Sequence, residues 1–134
     1  MWLSATLLIG ACAVFRAPDS AKLLVRSIKN SDVTWHATNL GWLPGLRGAA
    51  RQVGVQLDRE MVPELIKALK DENRFVAAHV ILSSQVGYSH GFSESQWDEM
   101  IIDSDENGRA RIPARQRFRL TRKWEDWFNS RSKN

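Results

Sequence analysis

Laid against itself at an offset of 41 residues, the chain repeats. Leu24-Val25 falls on Leu65-Ile66, Ile28-Lys29-Asn30 on Leu69-Lys70-Asp71, and Ala37 and Leu40 on Ala78 and Ile81. Each copy reads as a helix with paired apolar positions, a polar break and a second helix. In the second copy Asp58 caps a helix with Pro63 in its first turn and Val62, Leu65, Ile66 and Leu69 on one face. Asp71-Glu72-Asn73 breaks that helix, and Asn73 caps the next one, residues 74–85, whose FVAAHVIL run is apolar almost all round and therefore predicted to be buried. In the first copy Asp32 takes the capping role, Trp35 and Leu40 supply the apolar face, and Leu43-Pro44-Gly45 ends or kinks the helix.

A period of about 40 residues with two helices per unit resembles HEAT repeats, whose units stack to bury a shared core. The resemblance covers residues 20–86 and is clearest in LIKALKDENRFVAAHVIL. It departs from the family pattern at Ala77, where the usual Val-Arg pair of the second helix places an arginine. An ordinary helical bundle is the competing architecture. The resemblance implies contact with other proteins through helix faces, an analogy of fold and not of site.

What lies outside the repeat is short. The chain has 134 residues, enough for one domain, or one small domain plus an anchor, and too few for a barrel enzyme. Four Pro and eight Gly exclude collagen-like and Pro/Gly-rich disordered classes, and the single cysteine, Cys12, excludes an internal disulfide framework. Residues 1–16 form a separate hydrophobic segment, with 17–134 as the domain. Residues 2–15 are apolar apart from Ser4 and Thr6. They fall short of the roughly 20 residues of a spanning helix, and no basic residue precedes them as in a signal peptide. Ile9-Gly10-Ala11-Cys12 loosely resembles a lipoprotein processing site, and Ala11-Cys12-Ala13 a signal-peptidase site. Anchor, cleaved signal, core helix and truncated start are the readings; the chain is membrane-associated if an anchor is retained and cytoplasmic otherwise.

Three motifs invite chemistry. Gly87-Tyr88-Ser89-His90-Gly91 fits the nucleophile elbow G-x-S-x-G, but that elbow needs a preceding strand and a later His. A helix precedes it here, and no His follows His90. Asp103-Ser104-Asp105-Glu106-Asn107-Gly108 fits the first half of a calcium loop, yet Ala114 stands where the bidentate Glu belongs. The preferred reading is a β-hairpin over 98–112 turning at Glu106-Asn107-Gly108, with Asp103 and Asp105 facing Arg109 and Arg111. His36, His79 and His90 lack metal-ligand spacing, and His79 fits a hydrogen-bonded core position. No catalytic, metal or cofactor residue is assigned, and no small-molecule substrate is identified.

Pro113 starts a last helix over 114–130. At about 100° per residue, Leu120, Trp124, Trp127 and Phe128 share one arc, and Arg115, Arg119, Arg122 and Lys123 occupy an adjacent basic arc. Residues 109–134 carry nine bases against two acids, while the rest of the chain carries ten against thirteen. The expectation is therefore a mainly α fold: two HEAT-like helical hairpins, a short β-hairpin and a C-terminal amphipathic helix. Its expected role is a non-catalytic protein–protein interaction or scaffolding domain, possible membrane tethering included, with Arg115, Arg119, Arg122 and Lys123 as the contact face. The alternative is an electrostatic binder of nucleic acid or anionic membrane through that same helix.

Overall fold

A computed structural model describes residues 18–39, 41–87, 103–104, 110–131 and 133. Within them the chain runs α1 (Pro18–Arg26), a 3₁₀ turn (Asn30–Asp32), β1 (Val33–Thr38), β2 (Gly41–Leu46), α2 (Gly48–Gln56), α3 (Met61–Ala68) and α4 (Phe75–Ile81). A π-helical turn (Leu82–Gly87) follows, then β3 (Asp103–Ser104), β4 (Ala110–Arg111) and α5 (Ala114–Arg131). The fold is thus mostly helical, as expected, and among the described residues it carries two antiparallel strand pairs, of which β3–β4 falls within the expected hairpin and β1–β2 was not expected. Residues 1–16, the loop 88–91 and the acidic turn 105–108 lie outside the described residues. None of the described helices is long and apolar enough to cross a membrane.

The second copy of the repeat forms the expected helix pair. Asp58 Oδ1 accepts the backbone N–H groups of Glu60 and Met61, both at 3.0 Å, satisfying donors that a helix start leaves without intrahelical partners. Met61, Leu65, Ile66 and Leu69 then face the core. Every side chain of α4 is buried, as its unbroken apolarity predicts. The start of α4 differs in detail from the expected Asn73 cap. Asp71 organises it instead: its carboxylate accepts the Asn73 N–H at 2.9 Å and Arg74 Nε–H at 2.8 Å, and its carbonyl accepts the Phe75 N–H at 2.8 Å.

The first copy does not form its second helix. Residues expected to be helical after Asp32 are β1 and β2, paired antiparallel from Val33↔Leu46 to Thr38↔Gly41, with Trp35 opposite Pro44. The cause lies in residues the repeat alignment left unmatched. Val33, Thr34, Trp35 and Thr38 are β-branched or aromatic, types that favour extended backbone, and burial falls along the strand from buried Val33 through half-buried Thr34 and Trp35 to an exposed end. Pro44 has no N–H to give a ladder and would break a helix interior, whereas a two-stranded ribbon leaves it an open edge. Asp32 does not cap a helix here; its Oδ2 accepts the Lys29 N–H at 3.0 Å and closes the 3₁₀ turn.

Three hydrogen bonds from Asn30 hold the 3₁₀ turn before the hairpin to the α3–α4 turn and the start of α4. Asn30 donates from Nδ2 to the Glu72 carbonyl at 2.7 Å and accepts the Val76 N–H on Oδ1 at 2.9 Å, so it caps α4 from 46 residues away. The Asn30 N–H adds a third link, to the Asn73 carbonyl at 2.8 Å. Gly48 opens α2 at φ +57°, and a Cβ there would meet Asp32 Oδ1 at 3.1 Å. Glycine is therefore needed at that corner. The core unites Val25 and Ile28 with Val53, Leu65, Phe75, Ile81, Leu120 and Trp124, so α5 closes one continuous interior. Of the hairpin expected over 98–112, the described residues pair Asp103 with Arg111 and Ser104 with Ala110, and the rest lies outside the described residues.

Candidate interaction surface

The helix carrying the basic arc is set in place by its apolar side. Pro113 starts it, its carbonyl accepting the N–H groups of Gln116 and Arg117 at 3.0 and 3.1 Å. Leu120 and Trp124 are fully buried. Trp124 Nε1–H donates to His79 Nδ1 at 3.0 Å, which places the imidazole proton of the neutral ring on Nε2. His79 in turn stacks on Phe75, ring centroids 5.7 Å apart. Trp127 meets Trp124 edge-on at 5.5 Å, and the Arg131 guanidinium lies 5.1 Å from the Trp127 ring. His79 is thus a hydrogen-bonded core residue, as its apolar surroundings predict.

Ion pairs along one flank fix the rotation of α5 about its axis. Lys70 Nζ reaches Glu125 Oε1 at 3.3 Å, and Arg117 reaches Glu72 Oε1 at 3.3 Å. The Thr121 hydroxyl makes a long 3.5 Å contact to the Leu69 carbonyl. Each exposed pair adds little energy, but together with the buried tryptophan they leave one orientation.

That orientation turns Arg115, Arg119, Arg122 and Lys123 outward, all exposed. It also turns outward a residue the sequence reading did not single out. Phe118 is 75% exposed and stands between the arginines, since 115, 118, 119 and 122 follow the i, i+3, i+4, i+7 spacing of a single helix stripe. The signal was present: at about 100° per residue Phe118 falls outside the arc of Leu120, Trp124, Trp127 and Phe128, on the basic side.

Beside the stripe a groove of about 930 Å³ separates α5 from the end of α3. Leu69, Lys70 and Glu72 form one wall, and Phe118, Arg119 and Arg122 belong to the other. A second hollow of about 620 Å³ lies under the far half of α5, between Leu57 and Trp127. Close to the groove, the Asn73 backbone N–H and then the Arg74 side chain hold the Asp71 carboxyl below its ordinary value, with partial burial opposing them. Among the described residues no His, Cys, Asp and Glu cluster could hold a metal ion. His36 sits on the outer hairpin face, its Nε2 3.3 Å from Thr34 Oγ1. Comparison with known families, curated proteins and solved structures returned no match.

Proposed function

We propose that this chain is a non-catalytic protein–protein interaction domain whose contact surface is the outward stripe of α5. The observation that carries the reading is Phe118, a large aromatic ring left in water amid Arg115, Arg119 and Arg122 on a helix whose opposite side buries Leu120 and Trp124. Exposed aromatic and arginine side chains are the types that dominate binding energy at protein interfaces. In this proposal α3 and α4 are a HEAT-like unit serving as scaffold, and residues 1–16 provide a tether to a membrane.

The second reading, an electrostatic binder of nucleic acid or anionic membrane, is favoured by the four exposed bases alone. Affinity capture with the full chain separates the two. Wild type is compared with a variant carrying Arg115→Glu, Arg119→Glu, Arg122→Glu and Lys123→Glu, at about 0.1 and 0.5 M salt. A protein retained by wild type at both salts, and lost by the variant, supports an interaction domain. Nucleic acid or lipid alone, released by the higher salt, would establish the second reading instead.

A further inference from the structure

We propose that the outer edge of β1 is a self-association site, pairing antiparallel with β1 of a second copy of this chain to give a four-stranded sheet. The Arg47 N–H bonds the Asp32 carbonyl at 2.9 Å and so sets the alternation of the ladder. In the register from Val33↔Leu46 to Thr38↔Gly41, Thr34 and His36 bond inward to β2, while Trp35 and Ala37 direct their N–H and C=O groups to the free side. Among the described residues no hydrogen bond reaches those four groups. The Val33 N–H is taken by the Asn30 carbonyl, which ends the open stretch on that side. On β2 the outward residues are Trp42, Pro44 and Leu46, and Pro44 has no N–H to offer in the middle of that edge. One usable edge per chain stops growth at two chains, a closed pair and not a fibre.

Three features select a second copy as the occupant. Residues 33–46 hold no Asp, Glu, Lys or Arg in a chain that is 25% charged, so nothing on the strand repels its own copy or selects a partner of opposite charge. Centred on His36, two β1 strands set Trp35 opposite Ala37 in both directions, a large side chain beside a small one, and exchange four main-chain hydrogen bonds. Burial falls from Val33 to the exposed His36 and Ala37, so in an antiparallel pair each exposed end lies beside the other copy's packed end. A two-stranded ribbon is marginal alone, and the added strands supply the width it lacks.

The test is sedimentation velocity of the full chain across a micromolar concentration series, where a monomer–dimer equilibrium is expected. Ala37→Pro removes the N–H that each copy gives across the interface, two of the four bonds, and leaves the β1–β2 ladder intact. It should weaken the dimer about thirtyfold. Register is read by cysteine pairing in a Cys12→Ser background. His36→Cys sets two thiols in a pair whose Cα atoms lie about 4.5 Å apart, close enough for a disulfide, and should give a covalent dimer on oxidation. Thr38→Cys, four residues out of step with its counterpart and about 14 Å from it, should not. Arg115→Glu with Arg122→Glu should leave the dimer unchanged, which separates this edge from the α5 surface. A monomer at every concentration, equal disulfide yields from positions 36 and 38, or a dimer indifferent to Ala37→Pro in a variant whose circular dichroism is native would overturn the proposal. If Ala37→Pro does not fold, the concentration series and the disulfide comparison decide.

Discussion

Asn30 shows how much a single side chain can organise here. It gives its amide hydrogen to the α3–α4 turn and its oxygen to the second N–H of α4. Asn30→Ala is therefore expected to cost about 1–2 kcal/mol, read as a lower urea midpoint with unchanged slope. Asp71 works on the same turn by charge. The Asn73 N–H and the Arg74 side chain stabilise its ionised form, so its folded pKa lies below the unfolded value. For a depressed carboxyl the stabilisation is complete above the unfolded value and is lost as pH falls through the folded one. The stability gap between wild type and Asp71→Asn should accordingly be present at about pH 6 and shrink below about pH 4. Solvent reaches this pair, so the gap is small.

Elements differ in how plainly the sequence announces them. The α3 cap, the buried α4 and the packed side of α5 were legible because each rests on local chemistry: Asp58 before an apolar stripe, an unbroken apolar run, and a tryptophan-rich arc. The β1–β2 hairpin was not, because a repeat match at Ala37 and Leu40 outweighed the preference of Val33, Thr34 and Trp35 for extended backbone. In α2 the buried face is only Ala50 and Val53, between two glycines, a pattern too faint to read. The Asn30 cap was hidden by distance along the chain, since no local rule pairs residues 30 and 76. Packing also explains why position 77 holds a small residue. This position is fully buried in α4, where an arginine would have to leave water. Ala77→Arg is expected to cost more than about 3 kcal/mol and to prevent cooperative thermal unfolding.

Across the whole molecule, two features of opposite kind meet on one helix. Trp124 and Leu120 commit one side of α5 to the core, and the remainder is turned outward as a stripe of three arginines around Phe118. Charge on this side was legible in the sequence; the aromatic at its centre became evident only once the packed side was known. The most direct test places a photo-cross-linking amino acid at position 118 of the full chain and, as control, at position 55, where Val55 is also highly exposed but lies on α2. Cross-linking to a protein is expected from position 118 and not from position 55. Cross-links from 118 only to nucleic acid or lipid, or equal products from both positions, would contradict it.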